Sequence, residues 1–148
     1  MVGNILVIPR TTRCRIDPIR VAAIILRHYS LAIEARGGKK KRILIVEDNA
    51  DCRELLRLII TRQLGCEVVE AATGLAAVDQ ASATHPDLIL MDLGLPGMSG
   101  VEAPERIKAN PAIKDIPIVI NTAFNATDLT RRALAAGVCR DFTTNLSS

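Results

Sequence analysis

With 148 residues, 49% of them hydrophobic, the chain can form one domain with a real core plus an extension, and no apolar run approaches the ~18 residues of a membrane span. Tyr29, Phe124 and Phe142 are its only aromatics, too few to build stacking platforms for single-stranded nucleic acid. The net charge of +3 conceals two unlike halves: residues 1–42 carry +8, with Asp17 and Glu34 as the only acids, and residues 43–148 carry −5. Cys14, Cys52, Cys66 and Cys139 are scattered, without CxxC spacing. They read as reduced thiols in a reducing compartment rather than a zinc site or a disulfide framework.

Met1 to Arg36 carries no strong motif. Ile19 to Glu34 has the spacing of an amphipathic helix, with Ala22, Leu26, Tyr29 and Ile33 on one stripe and Arg20, Arg27 and Glu34 on another. The segment is Arg-rich and acid-poor, as organelle transit peptides are, but lacks their serine richness; its apolar run is too short for a secretory signal. Gly37-Gly38-Lys39-Lys40-Lys41 reads as a flexible, charged junction. The expected division is a basic N-terminal extension and linker over residues 1–39 and a main domain over residues 40–148.

From Arg42 onward strands and helices alternate. Ile43 to Val46 is an aliphatic strand ended by Glu47-Asp48-Asn49, followed by a helix with Cys52, Leu55, Leu56 and Ile59 on one face, stopped at Gly65. Cys66 to Ala71 is a more polar strand suited to a sheet edge, and Leu75 to Ala83 a second helix. Leu88 to Met91 is a short buried strand ending in Asp92, after which Gly94, Pro96, Gly97 and Gly100 force a loop. A third helix spans Gly100 to Asn110, where Pro104 is tolerable only in the first turn. Ile116 to Asn121 is a fourth strand, Ala126 to Ala136 a fourth helix, and Arg140 to Thr144 a weak fifth strand.

This alternation predicts an α/β fold with a doubly wound, five-stranded parallel sheet. The polar second and fifth strands belong at the edges, which fits the order 2-1-3-4-5. In that order Glu47, Asp48 and Asp92 meet at the carboxyl ends of the first and third strands, with Thr122 one strand over. Carboxylates so gathered repel one another, so they either stay partly protonated or hold a cation. Oxygen ligands without His or Cys favour Mg²⁺. A metal beside a strand-end Asp supports phosphoryl transfer with that carboxylate as nucleophile, and the Thr122 hydroxyl could donate to a phosphoryl oxygen. The bland alternative is a solvated acidic sheet edge.

Ile43-Leu44-Ile45-Val46-Glu47-Asp48-Asn49, Asp87 to Gly100, Thr122-Ala123 and Ala133-Leu134-Ala135-Ala136-Gly137 together resemble the receiver domains of two-component response regulators, of the stand-alone, chemotaxis-receiver type. The resemblance covers roughly Lys40 to Leu146 and implies a flavodoxin-like fold. It further implies that Asp92 accepts a phosphoryl group from a histidine kinase or phosphotransfer protein, and that Mg²⁺ is held by Asp48, Asp92, the Gly94 carbonyl and, nearby or through water, Glu47. By the same match Thr122 is the switch hydroxyl and Phe142 the switch aromatic. The expected protein is a cytoplasmic signalling domain, neither a conventional enzyme nor a direct nucleic-acid or membrane binder, that assists its own phosphorylation and dephosphorylation and acts on a downstream protein.

Two departures stand out. The family's lysine at the end of strand five falls at Asn145 or Thr144, and no lysine follows Lys114. The chain also stops where a fifth helix would begin, so the expected domain is C-terminally truncated; the Ile19 to Glu34 helix could fill the vacant place. These departures favour, as an alternative, a degenerate receiver that works as a phosphorylation-independent interaction module. An aspartyl-phosphate phosphatase would need a second Asp two residues after Asp92, where Gly94 stands.

Overall fold

The aliphatic runs of the sequence become the central strands. The computed structural model describes residues 5–9, 39–92, 95, 97 and 102–122, with the backbone alone at 5–9, 121 and 122. Its strands are β1 (Ile5–Pro9), β2 (Arg42–Val46), β3 (Glu67–Ala71), β4 (Leu88–Met91) and β5 (Ile118–Thr122). The helices are α1 (Ala50–Leu64), α2 (Gly74–Thr84) and α3 (Glu102–Ala109). All pairings are parallel, in one sheet of order β1-β5-β4-β2-β3. From β3 to β5 this is the expected 2-1-3-4 sequence of strands.

The sheet is covered on both faces, which is why its central strands are aliphatic throughout. Leu44, Val46, Ile89, Met91, Ile118 and Ile120 pack against Ala77 and Ala81 of α2 and Ala103 and Ile107 of α3. On the opposite face Ile43, Ile45, Leu88, Leu90 and Val119 cluster with Cys52, Leu56 and Ile60 of α1. The edge strand β3 is more polar, with Glu67 and Glu70 exposed and Val68 and Val69 half-buried.

Local chemistry sets the helix ends. The Asn49 side chain accepts from the Cys52 N–H at 3.0 Å and caps α1, which stops at Gly65 with φ +62°. Thr73 caps α2 through the Ala76 N–H at 3.1 Å, and His85 closes it in the left-handed conformation. Pro104 is the third residue of α3, where its missing N–H costs no helical bond. At the amino edge of the sheet the Arg42 N–H donates to Asp87 Oδ2 at 2.9 Å, and its guanidinium donates to the Thr84 carbonyl and to Glu67.

Four details differ from the sequence reading. On α1 the buried stripe is Cys52, Leu56, Ile59 and Ile60, while Leu55 is 40% exposed, because the helix turns its 52-56-60 line toward the sheet. The β5 strand starts at Ile118 rather than Ile116, since the Ile116 N–H is committed to the Ile113 carbonyl in a turn and Pro117 has no N–H to pair. Cys66 is a free buried thiol as expected, but Cys52 is disulfide-bonded, a pairing that scattered spacing could not reveal. Finally, the strand beside β5 is β1, from a segment read as an extension. The segments 19–34, 126–136 and 140–144 lie outside the described residues.

Candidate functional site

Strand register brings the acids together. The β2–β4 ladder pairs Val46 with Met91, so the residues that leave those strands, Glu47 and Asp92, emerge side by side at the carboxyl edge. Two backbone bonds fix them there: the Asp92 N–H donates to the Val46 carbonyl, and the Glu47 N–H to the Ala71 carbonyl, both at 3.0 Å. Carboxylate oxygens of Glu47, Asp48 and Asp92 all lie within 4.8 Å of one another. Glu47 and Asp92 are buried, at 2% and 8% exposure, whereas Asp48 is exposed.

Two residues that the sequence reading did not single out hold this arrangement. The Asn49 N–H donates to Glu47 Oε1 at 3.3 Å while its side chain caps α1, so one residue ties the acidic turn to the helix. Arg53 donates to the Glu47 carbonyl at 2.9 Å and pairs with Glu70 at 3.4 Å, bracing the turn against β3. An Asn directly before a helical stripe is a readable cap signal. Arg53 was not legible, because only the fold places β3 beside it.

The arrangement suits a small hard cation. All three side chains offer oxygen, the two inner ones are fixed by the sheet, and exposed Asp48 leaves a side open to water and to phosphate oxygens, as Mg²⁺ prefers. Thr122 ends β5, the neighbour of β4, so the fourth expected residue arrives on the same edge. Gly94, Phe142 and Asn145 lie outside the described residues.

Residues 43–143 match the response regulator receiver domain family. Over 84 residues the chain is 42% identical to the polar-differentiation response regulator DivK of Brucella ovis, covering 57% of this chain and 68% of DivK. Against the phosphate regulon transcriptional regulatory protein PhoB of Escherichia coli K12 it is 39% identical over 97 residues, 66% of this chain and 42% of PhoB. The crystal structure of the chemotaxis response regulator CheY4 of Vibrio cholerae superposes with a TM-score of 0.60 at 25% identity, covering 67% of this chain and 82% of that one. The family match spans most of the chain, and strand order, helix placement and acidic edge all agree with it: this chain belongs to the response regulator receiver domain family.

Proposed function

We propose that Asp92 accepts a phosphoryl group from the phosphohistidine of a histidine kinase or phosphotransfer protein, with Mg²⁺ held beside it. The observation that carries this reading is the cluster of Glu47, Asp48 and Asp92 oxygens within 4.8 Å, with Asp92 at the end of the central strand β4. In the transfer an Asp92 oxygen forms the new bond to phosphorus as the phosphorus–nitrogen bond breaks. The electron pair stays on the imidazole nitrogen, which takes up a proton. Asp48, Asp92 and the Gly94 carbonyl would ligate Mg²⁺, with Glu47 nearby or through water. When bound, the metal offsets the charge that the acids and the phosphoryl oxygens bring together.

The switch reading follows the family. A phosphoryl group adds roughly −1.5 to −2 charges and three acceptor oxygens, to which the Thr122 hydroxyl can donate, with Phe142 as the responding aromatic. The domain would assist its own phosphorylation and dephosphorylation in the cytoplasm and signal to a downstream protein, without binding nucleic acid directly. No helix among the described residues is long and apolar enough to cross a membrane.

One observation favours a second reading: no lysine follows Lys114, and the family's lysine position falls at Asn145 or Thr144, neither of which carries a charge. A receiver without it could work as a phosphorylation-independent interaction module. Labelling with radioactive acetyl phosphate separates the two. Mg²⁺-dependent label on the wild type that disappears in Asp92→Ala supports phosphotransfer. A wild type that takes no label leaves the interaction module as the surviving reading.

A further inference from the structure

We propose that the N-terminal segment is an integral part of the receiver fold, with residues 5–9 taking the fifth-strand position so that the strand order is circularly permuted. This inference is independent of phosphorylation. It rests first on pairing: β1 runs parallel to β5 over its whole length, from Ile5 opposite Ile118 to Pro9 opposite Thr122. A strand has two edges, and those of β5 are taken by β4 and β1. No other strand can pair with β5 at the same time, so β1 holds the position beside β5 that the fold reserves for a fifth strand.

Composition agrees with this choice. Ile5-Leu6-Val7-Ile8 is as aliphatic as β2 and β4, whereas Arg140-Asp141-Phe142-Thr143-Thr144 offers one apolar side chain. Pro9, which cannot donate to a ladder, stands at the last position of an edge strand, where a proline is tolerated. The charge excess of residues 1–42 comes after this strand, not within it.

Hydrogen exchange on the full chain tests the proposal. The alternate amides of residues 5–8 that face β5 should exchange roughly 100-fold or more below their intrinsic rates, together with those of residues 118–122. Leu6→Pro/Val7→Pro removes a donor from each side of β1 and should deprotect residues 118–122 or unfold the domain. Thr143→Pro/Thr144→Pro should leave 118–122 unchanged. Amides 5–8 exchanging at intrinsic rates would overturn the proposal. So would a Leu6→Pro/Val7→Pro variant with fully protected 118–122, or a Thr143→Pro/Thr144→Pro variant that loses that protection.

Discussion

Asp92→Asn isolates the electrostatic cost of the acidic edge. Glu47 and Asp92 are both buried, and their oxygens lie within 4.8 Å. At that 4.8 Å separation and an effective dielectric near 20, two unit charges repel by about 3.5 kcal/mol. A carboxyl can escape part of this by taking up a proton, so the gain on neutralising Asp92 should be about 1–3 kcal/mol. The amide is close to isosteric, leaving the Val46–Asp92 backbone bond and the strand pairing in place. The assay is urea unfolding at pH 7 in EDTA, where the variant's midpoint should rise with an unchanged slope. Mg²⁺ then reverses the comparison. At a hundred times its dissociation constant a ligand adds about 2.7 kcal/mol, and the wild type should collect this while Asp92→Asn collects much less. An Asn variant no more stable than wild type in EDTA would refute the repulsion argument. Equal Mg²⁺ stabilisation of both chains would refute the assignment of Asp92 to the cation site.

Other perturbations test the frame around the site. Asn49→Ala should destabilise the domain by about 1 kcal/mol through loss of the α1 cap, read as a lower urea midpoint. His85→Gly should raise the midpoint by up to about 1 kcal/mol, because His85 holds φ +45° at the end of α2, a conformation glycine adopts without the Cβ penalty. Burial pushes the Cys66 thiol above its ordinary 9.0, with Asp87 adding to the rise and Lys41 opposing it. Its contribution is complete below the unfolded value and is lost as pH rises through the higher folded one, so wild-type stability should fall above pH 9.0. Cys66→Ala should flatten that decline when midpoints are compared across the alkaline range.

The sequence made most of the central sheet legible, because its signals were local. Leu88 to Met91 is too short to be a helix and is bounded by Asp87 and Asp92, so periodicity and breakers sufficed. Glu67 and Glu70 marked β3 as an edge strand, since a carboxylate on each side of a Val pair suits only a half-exposed strand. Convergence of Glu47, Asp48 and Asp92 followed once two strands were placed side by side. What could not be read was non-local. Ile5–Pro9 has an aliphatic pattern as strong as that of β4, but nothing within residues 1–9 names β5 as its partner. The basic run that follows disguised it as part of an extension. Arg53 was hidden for the same reason, as its work depends on Glu70 of the adjacent strand.

The proposed switch asks one part of the site to stay rigid while another moves. Its inner acids hang from backbone ladders: Glu47 N–H on Ala71, Asp92 N–H on Val46, and Met91 paired with Ile120. Moving either acid means breaking bonds in the best-buried strands of the molecule, so the acidic half of the site is a fixed anvil. Thr122 stands in a different position. It ends β5, whose support on one side is β4 and on the other is β1, a five-residue strand pairing up to Pro9 opposite Thr122. Of these, β1 is the edge strand with one neighbour, held by half the ladder of a central strand, so it opens at lower cost. Any movement of Thr122 toward a phosphoryl group on Asp92 would therefore be felt first at Pro9. In this fold the N-terminal strand becomes the element best placed to register the state of the site. Amide exchange at residues 5–8 should then change on adding beryllofluoride with Mg²⁺, and an unchanged exchange pattern with Asp92 occupied would show that β1 only completes the sheet.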